Sequence, residues 1–338
     1  MNKITKLGVS ALCGSLAAVS AANAGDMTVT GGVDMSWISL DDEVTGNPIG
    51  MGSNLTFSGS GDLDNGWTVA YTVATTNSDV YSNTNVTVTV PSLGDVHISG
   101  GVSGTGIDRI DDVTPSVWEE AYGAGLGAGI QTVSGGSGGG SIEYTPNMLP
   151  DGATVNLSYT PDANGGAGAD KGSSGYSAGV KKSGWDAAIT LTEDMHGMAG
   201  LTLYGGVGSI EQDTNSAAID GDKDESTFAA TYAAGGFTVG YQWSEQDLGT
   251  NTAVQEYTNE GYGITFNVND DLSIGYNHYE SDQDAATDVT TKADSFQIAY
   301  TMGGASIRLY EGDVDNGSYQ TTAAYDRSAT VISVSLAF

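Results

Sequence analysis

The segment Gly235-Gly236-Phe237-Thr238-Val239-Gly240-Tyr241-Gln242-Trp243 decides the fold. After a two-glycine turn, every second position is aromatic or aliphatic, and a small or polar residue fills each gap. A period of two is that of a β-strand, whose side chains alternate between faces. Trp67, Val69, Tyr71 and Val73 repeat it around Thr68, Ala70 and Thr72. Phe296, Ile298, Tyr300 and Met302 repeat it again around Gln297, Ala299 and Thr301. The same alternation returns at 29–37, 55–57, 86–90, 96–98, 155–159, 189–191, 201–207, 262–268, 272–276, 307–309 and 332–338, and no amphipathic helix competes with it.

Alternation alone also fits a soluble sandwich, so the connections decide. Short, turn-like ones at 64–66, 91–94, 235–236, 269–271 and 303–304 alternate with longer acidic ones at 40–49, 76–84, 161–174, 209–225, 245–255, 281–291 and 311–326. Short turns on one rim and long loops on the other are the up-and-down pattern of a transmembrane barrel. The polar face is Thr, Ser, Gly, Asn and Gln, which suits a wet lumen. Trp67, Tyr159, Trp185, Tyr232, Trp243 and Tyr257 stand at strand ends, as interfacial aromatic girdles do. Residues 176–183 and 185–193 counted separately give 17 strands. Merged through a bulge near 182–184 they give the even number a closed bacterial barrel needs. The expected fold is therefore an all-β, antiparallel, up-and-down transmembrane β-barrel of about 16 strands.

Residues 1–24 read as a secretory signal peptide: Lys3 and Lys6, an apolar run over 7–22, then Ala22-Asn23-Ala24 as a small-x-small cleavage site. Residues 25–338 form the expected barrel domain. The single cysteine, Cys13, lies in the leader without a lipoprotein-type frame, since Ser10 and Leu12 flank it wrongly. The mature chain thus lacks disulfides, thiolate metal sites and a cysteine nucleophile. The leader carries two lysines and no acids, so its removal takes the formal charge from −32 to −34. That charge excludes nucleic acid as a partner and favours cations. Beyond the leader no stretch approaches the ~18 apolar residues of a membrane helix, so a membrane would be crossed by strands, with outer-membrane lipid as the surroundings.

The chain ends Val331-Ile332-Ser333-Val334-Ser335-Leu336-Ala337-Phe338. Ile332, Val334, Leu336 and Phe338 share a face, and a terminal phenylalanine on such a strand resembles the sorting signature by which barrel-assembly machinery recognises Gram-negative outer-membrane barrels. Leu93-Gly94-Asp95-Val96-His97-Ile98-Ser99-Gly100 resembles the glycine-bracketed strand before the third loop of Gram-negative general porins, particularly the alphaproteobacterial type. Ser141-Ile142-Glu143-Tyr144-Thr145-Pro146-Asn147 and the segment 152–161 are similar to the strands after that loop. The resemblance implies a homotrimer of barrels in the cell outer membrane, each narrowed by a third loop folded inward, through which small hydrophilic solutes diffuse. Here that loop corresponds to 103–139.

The candidate loop holds Asp108, Arg109, Asp111, Asp112, Glu119 and Glu120, five acids against one base. In the family such acids face a cluster of bases across the pore; this sequence departs from that pattern. Only Arg109, Lys171, Lys181, Lys182, Lys223, Lys292, Arg308 and Arg327 remain in the mature chain. If Ile307 and Leu309 face lipid, Arg308 faces the lumen and is the expected wall base, joined by Lys181 or Lys182 according to the bulge. The resulting expectation is weak cation selectivity.

No cofactor is expected. Asp220, Asp222 and Asp224 have the spacing that begins a calcium loop, but Glu225 replaces its glycine and Thr231 its closing glutamate. Loose Ca²⁺ or Mg²⁺ bridging among rim acids such as Asp41, Asp42 and Glu43 stays open, beside a plain solvated rim. His97, His196 and His278 lack any G-x-S-x-G frame, so no enzyme is expected. The alternative function is an acidic surface-display or adhesin-type barrel without a transport role.

Overall fold

In a computed structural model, residues 27–41, 47–77, 80–100, 104–136, 139–164, 179–251 and 254–337 are described. The leader, Phe338, Lys171, Asp42 and Glu43 lie outside them. The strands are β1 (Thr28–Leu40), β2 (Ile49–Asp62), β3 (Thr68–Thr76), β4 (Val80–Val90), β5 (Gly94–Ser99), β6 (Ser141–Pro146), β7 (Ala153–Thr160) and β8 (Lys181–Leu191). They continue as β9 (Leu201–Gln212), β10 (Lys223–Ala234), β11 (Phe237–Asp247), β12 (Val254–Asn267), β13 (Leu272–Ala285), β14 (Val289–Met302), β15 (Ala305–Asp315) and β16 (Arg327–Ala337). Each pairs antiparallel with its neighbours in sequence, and β1 pairs with β16 from Gly32↔Ala337 to Leu40↔Ala329, so the sheet closes.

The count of 16 rests on a register shift between Lys181 and Gly184 in β8 against β9, the bulge that joins the two candidate segments into one strand. Residues 176–178 lie outside the described part. The strands also run further than the apolar alternation predicts. The expected long loop at 281–291 is mostly ladder, because β13 reaches Ala285 and β14 starts at Val289; likewise β4 begins at Val80 and β10 at Lys223. Backbone pairing does not require apolar side chains, so hairpins continue in polar, acidic sequence once they leave the hydrocarbon. The short rim carries two connections that the alternation did not mark: 147–152, and 192–200, which holds the one-turn helix α1 (Glu193–His196).

The two faces separate cleanly. Trp185 is 54% exposed on the outside, whereas its neighbour Asp186 is 3% exposed within. Trp37, Tyr71, Ile98, Tyr159, Phe228, Tyr232, Tyr241, Tyr262 and Ile332 share the outer face, where exposed apolar area meets lipid. Tyr257 departs from the girdle expectation: it pairs with Gln246 and Gln283, and its ring lies 5.1 Å from that of Tyr319, on the inner side.

A lysine at Ile298, between Phe296 and Tyr300 on the outer face, should destabilise the bilayer-embedded barrel by about 2–4 kcal/mol. A lysine at Thr72, inward beside Tyr71, should leave it near wild type. Denaturant titration in lipid, read by the gel shift between folded and heated protein, measures both.

Candidate pore constriction

Residues 100–140 join β5 to β6, and the described part over 104–136 lies against the inner face of the barrel. Gly106–Ile110 forms a 3₁₀ turn, and Ile107, Ile110 and Val133 pack with Ala188 of β8. Further along, Ala121, Leu126 and Ala128 pack on Tyr279, Tyr310, Val314 and Val331. The described part of the segment thus packs mainly on β6–β16 and reaches β1 at Ile38 and Leu40.

Irregular backbone pressed into a barrel needs partners for its N–H and C=O groups. Wall amides supply them. Gln242 accepts from Val113 N–H (2.8 Å) and donates to the carbonyls of Ile110 and Asp111 (both 2.9 Å). Gln297 accepts from the N–H groups of Trp118 (2.9 Å) and Glu119 (3.1 Å), while Asn277 donates to Glu119 O (3.2 Å). Asn259 donates to Gln131 O (2.8 Å), Tyr310 OH to Ala121 O (2.5 Å), and Arg327 to Leu126 O (3.2 Å).

At the root of the segment the partners are carboxylates. Glu143 on β6 accepts from Gly106 N–H (2.6 Å) and forks onto Arg109, whose Nη2 lies 2.6 Å from Oε1. Asp186 on β8 accepts from Ile107 N–H (2.7 Å) and from Gly136 N–H. Glu225 on β10 accepts from Gly135 N–H (2.5 Å) and from Lys223 Nζ (2.6 Å). Sequence reading passed over these three, although the parity rule marks them: Glu143 lies between outward Ile142 and Tyr144, and Asp186 beside outward Trp185.

The acids named from sequence gather on this segment. The carboxyls of Asp111, Asp112 and Glu120 hydrogen-bond in series. Burial, reinforced by Asp108, pushes Asp111 up to about 6; burial, reinforced by Asp111, pushes Asp112 up to about 7. Glu119 and Glu120 are raised by burial too, Glu120 next by Asp112 and Glu119 next by Glu120, with Arg308 pulling Glu119 back. Asp108 is turned to its own chain and accepts from Gly104 N–H (2.5 Å).

The bases are dispersed. Arg109 is bound to Glu143, away from the acids, and that hydrogen-bonded pairing raises its pKa. Arg308 faces the lumen, 2.8 Å from Asp34 Oδ2 with its guanidinium 5.5 Å from the Trp118 ring centroid. Lys181 pairs in register with inward Gln212, toward Lys223 and Glu225. Lys182 is turned outward onto Glu211 (3.5 Å) and is not a wall base; the bulge reverses its face. Ile332, Val334 and Leu336 lie on the outer face of β16, and Phe338 is outside the described residues. Between Lys6 and Arg109 the sequence has neither lysine nor arginine, so the inner face of β1–β5 is mostly Thr, Ser, Asn, Gly and Ala, with Asp34, Asp62, Asp95 and His97, and with Ile38 and Leu40 against the loop.

Comparison with solved structures places the fold among outer-membrane barrels. An in-vitro folded OmpT of Vibrio cholerae, in trimer form, superposes with a TM-score of 0.66 at 15% identity over 93% of this chain and 99% of that one. A mutant Rhodobacter blastica porin gives 0.56 at 14% identity over 93% and 100%. A further porin structure gives 0.62 at 16% identity over 93% and 100%. No curated protein sequence matches. The sequence model for Gram-negative porins matches residues 8–334, nearly the whole chain, and by that match the protein belongs to the Gram-negative porin family of the outer membrane.

Proposed function

We propose that the barrel is a passive diffusion channel for small hydrophilic solutes and ions, weakly selective for cations, with the loop over 103–139 as its constriction. The observation that carries this reading is the imbalance of charge in the lumen: four acids, Asp111, Asp112, Glu119 and Glu120, gather on the loop, Arg308 acts on Glu119, and the strands β1–β5 contain no lysine or arginine. A cation 4 Å from one carboxylate gains roughly 1 kcal/mol in bulk water, more beside protein, which is about a fivefold local enrichment per charge. Salt screens this over about 10 Å at 0.1 M, so the bias acts at the constriction and weakens in concentrated electrolyte. A channel of this kind needs a width and a field and no catalytic group.

The trimeric state is part of the proposal, supported by the trimer form of the V. cholerae barrel and by the exposed apolar residues Val29, Met35, Trp37, Ile49 and Met51 on β1 and β2. Delivery through barrel-assembly machinery rests on the C-terminal strand. Against the surface-display alternative stands the longest connection of the chain, which packs on the inner wall instead of projecting outward.

Single-channel recording of the refolded mature protein under a KCl gradient tests the reading. Stepwise openings in threes with a reversal potential shifted toward potassium are expected, and the variant D111N/D112N/E119Q/E120Q should lose most of that shift while still conducting. A folded barrel that never conducts would defeat the proposal.

The field is also pH-dependent. A carboxyl whose pKa is raised to about 6 or 7 carries charge only above that pH. Cation preference should therefore grow as pH rises from 5 to 8 and collapse on acidification, with most of the change between 6 and 7. Asp112→Asn should flatten the upper part of this profile, measured as reversal potential against pH.

A further inference from the structure

We infer that Asp186 is the clasp of the pore: a positioning residue that holds both limbs of the inward loop at its neck, and whose protonation loosens them. The inference deepens the proposed channel reading and rests on it. One carboxylate reaches Ile107 N–H of the descending limb at 2.7 Å and Gly136 N–H of the returning limb. The two limbs are thus tied to each other through a single side chain anchored on β8.

The neck is shaped to admit that carboxylate. A Cβ added to Gly106 would fall 1.3 Å from Asp186 Oδ1, and one added to Gly135 would fall 2.7 Å from Oδ2. Both glycines also have positive φ, +57° and +53°, where a side chain is strained. Glycine therefore stands on each limb where the clasp passes.

Asp186 differs from the two carboxylates beside it. Glu143 has Arg109 and Glu225 has Lys223. Among the described residues no base pairs with Asp186, and the charges that act on it are those acids, Glu225 on β10 and Glu143 on β6. Lys181, at the start of the same strand, is directed to Lys223 and Glu225. The negative charge on Asp186 is thus held by backbone N–H groups of the loop, with like charge nearby. A proton removes the charge that strengthens those bonds and weakens the hold on the neck. The apolar contacts of Ile107 and Val133 with Ala188 remain, so the loop loosens in place without leaving the lumen.

The test uses the full mature barrel in lipid, with two readouts on Asp186→Asn. Amide hydrogen exchange at Ile107 and Gly136 should accelerate by about tenfold, the factor for losing one charge-assisted hydrogen bond. Single-channel traces at neutral pH should flicker as wild-type traces do on acidification, and this flicker should no longer respond to pH. Gly106→Ala, which displaces the carboxylate without removing it, should reproduce both effects if Asp186→Asn fails to fold. Unchanged amide protection, or lost protection with quiet, wild-type currents and pH response, overturns the inference. A wild-type barrel that does not conduct refutes the channel reading instead, while exchange at the two amides still reports on the clasp.

Discussion

The pairing of β1 with β16 is the interaction on which the molecule depends. In hydrocarbon an unpaired backbone N–H or C=O costs several kcal/mol, so a spanning sheet with a free edge is not viable. Closure removes the edge, and the antiparallel register from Gly32↔Ala337 to Leu40↔Ala329 achieves it with the terminal strand of the chain. Once the ring is closed, the period-two alternation assigns every side chain to lipid or lumen. A single register slip would exchange the two faces, which is why the one irregularity of β8, between Lys181 and Gly184, sits near the rim and not in the apolar band.

The same accounting governs the inside. Among the described residues of the loop, 104–136 and 139–140, there is no regular structure beyond a short 3₁₀ turn, yet many of them are buried. Its backbone is satisfied by side chains that imitate a neighbouring strand. An amide such as Gln242 or Gln297 offers both an acceptor and a donor, so it can take an N–H and a C=O of the loop together. At the neck the N–H groups of Gly106, Ile107 and Gly135 meet carboxylates, while the Gly136 carbonyl accepts from the Thr160 hydroxyl. The chemistry of each wall residue thus follows the polarity of the loop atoms it meets.

The barrel was legible because its signal is local: alternation and turn residues lie within a few positions of each other, and even the bulge followed from strand parity. The ends of the strands were not, because past the apolar band the ladder runs through acidic sequence such as 281–285 without a hydrophobic mark. Tyr257 misled for a related reason, since aromatic character at a strand end does not fix a face, and its inward parity did. The docking of the loop was hidden more deeply. Gln297 lies 178 and 179 positions from the residues it holds, and nothing near it in sequence indicates that partner. Lys182 shows the limit of parity itself: counted back from inward Gly184 and Asp186 it would face the lumen, and the bulge turns it outward.

The scarcity of bases explains how an acidic loop comes to share the lumen with a wall, β1–β5, that carries acids but no lysine or arginine. Arg109, Lys223, Arg308, Lys182 and Lys292 each pair with a carboxylate, respectively Glu143, Glu225, Asp34, Glu211 and Glu280, and Arg327 binds a loop carbonyl. These cations serve as staples within the wall, at the rim and at the loop root. With the described bases other than Lys181 so committed, little positive charge remains to balance Asp111, Asp112 and Glu120, and the cluster limits its own repulsion by sharing protons among adjoining carboxyls. The field of the lumen is therefore set by the placement of acids and by their protonation, and not by opposed rows of charge.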